Sequence, residues 1–380
     1  MKINFAESAQ STLGIEWELA IVDKTTMEQV PGAPIVLETV EDPVDGPIRG
    51  EYLTSMIELV TGVHSTVASA VAELNDLLDQ VTEKLDAHGL ALMGAGCHPF
   101  GDPTAQKPVD KPQYRRVTER AAWWGAQMAI NGLHIHCGIS HRDKALPITY
   151  GLARFGPYFI ALSGSSPFWM GKDTKFASQR TMIFQQLPTN GLPYHFETWD
   201  ELEKFAGQLE SVGMIQNPSE IRWDVRPSSW GTVENRAMDS VPTTFEVAAL
   251  AALSQTLTER MHRAIDDGEP IDRLPHWFLR ENKWRAARYG LAADVIVPRP
   301  DEFMIHTTDG ILRWTNDLLP VAEELGCAEE LVGVQTLVRK GPSYLRQRRV
   351  FADTGGDMVA VARSIVDETR TRTPRFKEPL

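Results

Sequence analysis

Two glutamates separated by one residue, Glu16 and Glu18, lie inside the apolar run Gly14 to Val22. If this run is a strand, Ile15, Trp17, Leu19 and Ile21 share one face while both glutamates share the other. Two carboxylates on one face repel each other, and a hard divalent cation bound through oxygen is the usual resolution. The plainer alternative is an ion pair with Lys or Arg on a solvated face. Three further segments repeat the alternation: Leu133 to Ile139 with His134 and His136, Ile221 to Arg226 with its charges, and Thr232 to Ala237 with Glu234 and Arg236. Glu58 alternates in the same way within Ser55 to Val60, and Glu51 precedes it in the same segment.

Imidazole suits zinc and other transition metals, whereas carboxylates suit magnesium or manganese, so a face this rich in glutamate is expected to use one histidine at a metal rather than both. Arg226 and Arg236 are suited to a transferring phosphoryl group, because a guanidinium fork takes phosphate oxygens in pairs. The competing reading has Arg236 paired with Asp224 or Glu234 and merely bracing the sheet. Arg180, Arg285, Arg288 and Arg346 fall in helical or loop contexts where a solvated surface is the default; Arg180 joins Arg226 and Arg236 as a candidate nucleotide contact. Trp123, Trp124, Trp169, Trp230 and Trp284 are expected in the core or in a pocket wall.

The glycine-loop solutions to nucleotide binding are missing. In Gly164 to Asp173 a serine, Ser166, stands where a phosphate loop needs its first glycine, and Asp173 stands where it needs Ser or Thr. Gly94-x-Gly96-x-x-Pro99 fails as a dinucleotide turn, and neither His-Glu-x-x-His nor Gly-x-Ser-x-Gly occurs. If ATP is used, a metal-bearing sheet must hold its phosphates.

The elements that must present these residues can be read in outline. Pro and Gly punctuate residues 31–50 between the first strand and Met56 to Val60. From Val67 the apolar positions keep helical spacing to Leu85, with Ser65 or Thr66 as cap and Gly89 as stop, and Leu90 to Gly96 reads as a buried strand entering a loop. Asp200 to Glu203 opens a second helix. Thr243-Thr244-Phe245-Glu246 reads as a capping box ahead of a third, from Val247 to Ile265. Strand patterns fade after Thr243, and helices are expected near 282–291, 311–325, 329–338 and 358–369. With no repeat and no Gly/Ser linker, residues 1–380 read as a single α+β catalytic domain, sheet-bearing over about 1–242 and helical over about 243–380.

The 380-residue chain is 42% hydrophobic, enough to fill a core, and its net charge of −13 argues against nucleic acid as a partner. Three scattered cysteines without a Cys-x-x-Cys pair suggest neither a disulfide framework nor a thiolate zinc site. The absence of an apolar leader or of a long apolar run suggests a soluble, cytoplasmic protein with no membrane partner.

The ordered set Gly14-x-Glu16-x-Glu18, Glu51 with Glu58, His134-x-His136, and Gly231-Thr232-Val233-Glu234-x-Arg236 resembles the glutamate–cysteine ligase type 2 family of carboxylate-amine ligases. Ser165 to Trp169, Trp223 to Pro227 and Trp284 to Gly290 add to the likeness, which spans about Leu13 to Leu291 and, more weakly, Gly341 to Arg348. The resemblance implies a glutamine synthetase-like fold: a curved antiparallel sheet whose concave face holds ATP and divalent metal, with helices on the convex face and a mainly helical last third. It implies Glu16, Glu18, Glu51, Glu58, His134 and Glu234 as ligands of Mg2+, or alternatively Mn2+. Arg236 would stabilise the transferring phosphoryl group, and Arg226 would meet phosphate or substrate carboxylate. His136 receives no role.

The implied reaction is γ-glutamyl amide formation through an acyl phosphate, with glutamate and an amine as substrates. Cysteine is one candidate amine, although no thiol pocket is evident, and a homodimer is compatible with the sequence. A metal-dependent amide or ester hydrolase is the competing reading, and a non-catalytic nucleotide or amino-acid sensor is a third.

Overall fold

Strand β1, Leu13–Asp23, organises the molecule, and the computed structural model describes residues 1–299 and 302–377. Ile15, Trp17, Leu19 and Ile21 are all buried to within 1% of their surface, each contributing about 1.5–3 kcal/mol of hydrophobic stabilisation. A one-residue slip would exchange them for glutamates, so burial of one face fixes the register that presents the other. The Trp17 indole N–H donates to Ser240 Oγ and to the Val241 carbonyl, both at 3.1 Å, so its burial leaves no polar group unpaired.

Around β1 lie β2 (Ile48–Gly50), β3 (Met56–Val60), β4 (Leu90–Met93), β5 (Gly132–Gly138), β6 (Val225–Ser228) and β7 (Thr232–Asp239). They form one antiparallel sheet in the order β6-β7-β5-β1-β3-β2, with β4 pairing to the far half of β1. Residues directly opposite one another across a sheet share a face. The register sets Glu16 against His134, Glu18 against Glu58, and Glu234 against both His136 and Arg226. The alternation read in separate segments thus becomes one chemical face, apart from Ile221 to Asp224, which lie off this sheet.

Helices cover the other face. Helix α1, Val67–Asp86, is capped by Thr66 and buries Val67, Ala70, Leu74, Leu77, Leu78, Val81 and Leu85, as the spacing predicts. Helix α2, Ala145–Ser163, is buried almost all round and carries Pro157 inside it. Helix α3, Thr244–Asp266, starts at Thr243, whose hydroxyl accepts from the Glu246 N–H. The expected capping box is only half made, because the Glu246 carboxylate pairs with Arg346 at 2.9 Å. The residues of these helices and of the apolar sheet face belong to a single hydrophobic cluster.

Several expectations need correction. The helix near Asp200 runs Trp199–Ser211, and its capping box is Thr198 with Glu201. The region after Thr243 is mainly helical, as expected, with a hairpin, Asp294–Arg299 and Glu302–His306, between His276–Tyr289 and Thr307–Leu325. Ala328–Lys340 and Met358–Thr371 match the last two expected helices, and Ser343–Asp353 is an additional one. Residues 378–380, within the single unit read from the sequence, lie outside the described residues.

Candidate active site

Glu16 and His134 meet at the centre of the polar sheet face, with Nδ1 of the imidazole 3.0 Å from Glu16 Oε2. The same Nδ1 lies 3.9 Å from Glu234 Oε1, while Nε2 lies 3.8 Å from Glu18 Oε1. His136 Nε2 stands 3.3 Å from Glu16 Oε1, and its Nδ1 bonds Thr232 Oγ1 at 2.8 Å. Glu234 is held from two sides, by Arg226 Nε at 2.7 Å and by Arg236 Nη1. Arg226 is itself pinned by the carbonyls of Ser219 and Ile221, at 2.6 and 3.0 Å. The Glu18 carboxylate accepts from the Gly132 N–H, and that of Glu51 from the Tyr52 N–H.

Crowding sets the charge states. Burial, reinforced by Glu51, pushes Glu18 up to about 8; burial also raises Glu51, and raises Glu58 strongly with added repulsion from Glu16, Glu51 and Glu18. Burial opposes the charge on Glu234 too, but Arg226 and Arg236 outweigh it and hold this carboxyl well below the usual range. Glu16 likewise stays ionised, because its bonds to His134 and His136 overcome its burial. Burial and the nearby Arg236 lower His134 to about 4, so its ring is neutral.

Two groups of donors converge closely enough to hold a metal ion: Glu16, His134 and Glu234, and separately Glu18, Glu58 and His134. Within each group the ligand atoms lie within 4.8 Å of one another. The donor set fits a divalent cation on its chemistry, since it combines carboxylate oxygens with a neutral imidazole. The ring nitrogen His134 Nε2 and the guanidinium atoms Arg180 Nε and Arg236 Nε are buried without hydrogen-bond partners among the described residues. Polar groups in that condition are unusual unless a ligand completes them.

Two cavities open on this face. An inner one of about 130 Å³ is lined by Glu18, Glu51, His134, Arg180, Arg236 and a residue the sequence reading passed over, Arg222. An outer one of about 310 Å³ reaches Glu16, His136, Arg226, Glu234 and Trp230. The sheet therefore brings together Glu16, Glu18, Glu58, His134, Glu234 and Arg236. Glu51 stays on the inner cavity wall outside both donor groups, Arg226 faces the outer cavity, and Arg180 faces the inner one.

Arg180 is not on a solvated surface: it is 3% exposed, on the short helix Gln179–Phe184. Its placement rests on buried Asp239 at the end of β7, which accepts from the hydroxyls of Ser166 and Ser178, both at 2.6 Å. Ser178 caps that helix, and Ser166 Oγ accepts from the Arg180 N–H at 3.1 Å.

Arg346 is buried as well, between Glu246 and Glu368 and away from the site. Asp224 does not join the polar face. The strand breaks at this residue, and its carboxylate pairs with Lys283 at 2.6 Å, both side chains being 6% exposed. Trp123, Trp124 and Trp284 are exposed rather than core, and Trp230, also exposed, lies in the wall of the outer cavity. Arg222 could have been found by the same period-two reading that selected Arg226, two residues on either side of Asp224.

The antiparallel sheet presents carboxylates, imidazole and guanidinium on one face and packs helices on the other, the arrangement that the resemblance to carboxylate-amine ligases implies. The family model described as glutamate–cysteine ligase family 2 matches residues 12–365. A relative from Arthrobacter sp. (strain FB24), provisionally named glutamate–cysteine ligase 2-1, is 46% identical over 97% of this chain and 99% of its own. Another, from Leifsonia xyli subsp. xyli and provisionally named glutamate–cysteine ligase 2, is 47% identical over 97% and 98%. The chain belongs to glutamate–cysteine ligase family 2.

Among solved structures, the fold is shared with a glutamate–cysteine ligase of Francisella tularensis in complex with AMP, at TM-score 0.67 and 12% identity, covering 99% of this chain and 91% of that one. A bifunctional glutathione synthetase of Pasteurella multocida aligns at TM-score 0.66 and 14% identity, covering 95% of this chain and 52% of that one. The protein is accordingly an ATP-dependent C–N ligase, and the hydrolase reading finds no support. No helix among the described residues is long and apolar enough to cross a membrane.

Proposed function

We propose that the protein joins the γ-carboxylate of glutamate to the amine of cysteine or a related small molecule, in two steps on the polar sheet face. The observation that carries this reading is the grouping of Glu16, His134 and Glu234 beside Arg236, with cavities on both sides. In the first step a carboxylate oxygen of glutamate attacks the terminal phosphorus of ATP, the bond to the bridging oxygen breaks, and ADP leaves. In the second the amine nitrogen attacks the acyl carbon, phosphate departs, and the amine loses a proton.

Glu16, Glu18, Glu58, His134 and Glu234 are the proposed metal ligands, with Glu51 at the amino-acid side of the site. A divalent cation there, magnesium or manganese by the oxygen-rich donors, supplies charge neutralisation at the phosphate oxygens. Arg236 is aimed by its pairing to Glu234 and presents the rest of its guanidinium toward the inner cavity, where it would stabilise charge on the transferring group. Arg226, clamped by two carbonyls, offers a fixed cation to phosphate at the outer cavity. Arg180 is the third candidate cation, on the inner side. Three buried, free cysteines fit a reducing compartment such as the cytoplasm.

The test is to incubate the enzyme with magnesium, ATP and glutamate, with and without cysteine and a panel of amino acids, following ADP and γ-glutamyl product. Amine-dependent release of both supports the reading. ADP release that no amine stimulates, or none at all, rejects it.

A further inference from the structure

One cation of the inner cavity has no part in the reading above. Arg222 is half-buried and lines both the inner cavity and an adjoining one of about 50 Å³ that also borders Val117 and Leu187. Its neighbours are committed. Arg226 and Arg236 hold Glu234, Arg116 holds Glu220 at 3.1 Å, and Arg180 reaches the Arg236 carbonyl and lies over the Phe184 ring. The Arg222 side chain makes no hydrogen bond or ion pair among the described residues; Glu51 and Glu220 attract it without reaching ion-pair distance.

Its backbone, by contrast, is fixed. The N–H donates to the Thr189 carbonyl at 3.0 Å, and the residue pairs with Asn190 in a short parallel bridge. A guanidinium drawn partly out of water on a rigid support, with no partner, is arranged to receive an anion. Beside it the inner cavity wall is apolar, built from Met56, Met128, Ile130, Phe184 and Leu187.

We propose that Arg222 binds the carboxylate of the incoming amine substrate at the junction of these two cavities, while the apolar wall receives an uncharged side chain. The acceptor is then an α-amino acid with an apolar or thiol side chain rather than a simple amine, and Arg222 sets that preference. The proposal rests on the ligase reading. A salt-bridged carboxylate contributes about 1.5–3 kcal/mol, or roughly 10- to 10²-fold.

The experiment compares leucine with 3-methylbutylamine, and cysteine with cysteamine, as acceptors for the wild type, Arg222→Gln and Arg222→Lys. The wild type is expected to favour each amino acid over its decarboxylated counterpart by at least about 10-fold in kcat/KM. Arg222→Gln should lower the amino-acid values by about 10²-fold while leaving the decarboxylated amines, and the KM for ATP and glutamate, within about 3-fold. Arg222→Lys should recover part of the loss. An equal loss with all acceptors, or a raised KM for glutamate, overturns the proposal.

Calorimetric binding of leucine and cysteine, with magnesium and a non-hydrolysable ATP analogue present, decides the matter without turnover. Arg222→Gln should weaken it at least 10-fold, and unchanged binding overturns the assignment. A wild type that binds leucine or cysteine through Arg222 yet releases no ADP would reject the ligase reading and leave the subsite standing.

Discussion

Glu16 and Glu234 are both ionised carboxylates on the same face, yet they are not equivalent to mutate. Glu234, 1% exposed, neutralises two guanidiniums; removing its charge leaves Arg226 and Arg236 facing each other at a cost of about 3–5 kcal/mol. Glu16 is bonded to imidazoles instead, so Glu16→Gln tests function with less damage to the fold. Glu16→Gln is expected to keep a native circular dichroism spectrum and lower kcat by about 10²-fold. A kcat within 3-fold of the wild type would show that Glu16 does no metal-centred work. The residues that were legible in the sequence, from Glu16 to Arg236, were so because a strand's period of two is local information. Arg180 stood in the sequence only as a weaker candidate, and Arg222 was passed over although it shares the spacing of Arg226 about Asp224. Arg180 reaches the cavity through Asp239, a buried partner far along the chain, and Arg222 lies on a two-residue strand that ends at the break before Asp224.

That break belongs to the scale of elements. Lys283, on the helix His276–Tyr289, ties Asp224 in place between the strand ends that carry Arg222 and Arg226, and the Asp224 carbonyl accepts from the Arg236 N–H at 2.7 Å. One buried pair thus sets the spacing of three site arginines. Lys283→Met leaves Asp224 buried and unpaired, and should destabilise the protein by about 3–5 kcal/mol in urea denaturation. Asp224→Leu combined with Lys283→Met should restore most of that. If the single variant loses less than 1 kcal/mol, the pair is not a structural tie. Amphipathic elements such as α1 could be read directly, because one face carried the signal. Helix α2 could not be, since it is apolar on all sides and shows no stripe, and the hairpin at Asp294–His306 gave no clear alternation between its helical neighbours.

For the whole molecule, the glutamine synthetase-like fold was legible from the ordered motifs, while the packing of the last third was not. Arg346 holds Glu246 and Glu368 together across distant segments, a pairing that no local pattern encodes. The carboxylates on the sheet face place a different demand on the fold, because Glu18 is raised by burial and the charge of Glu51, and Glu58 by burial and the charges of Glu16, Glu51 and Glu18. A cation that binds only the folded chain stabilises it by about 2.7 kcal/mol at 100 times its dissociation constant. Magnesium or manganese should therefore raise Tm by several degrees, chelator should reverse the rise, and Glu18→Gln should reduce it. A Tm indifferent to both metals would argue that the face holds no cation.

His134 is the residue common to both donor groups. A neutral imidazole has one nitrogen lone pair to give, the other nitrogen keeping its hydrogen. The two groups therefore draw on one donor, and a cation seated in either fixes the tautomer and leaves the other to complete its coordination with water or with substrate oxygen. The two positions would then be unequal, one with three protein donors and one with two carboxylates, and each would leave sites for water or substrate oxygen.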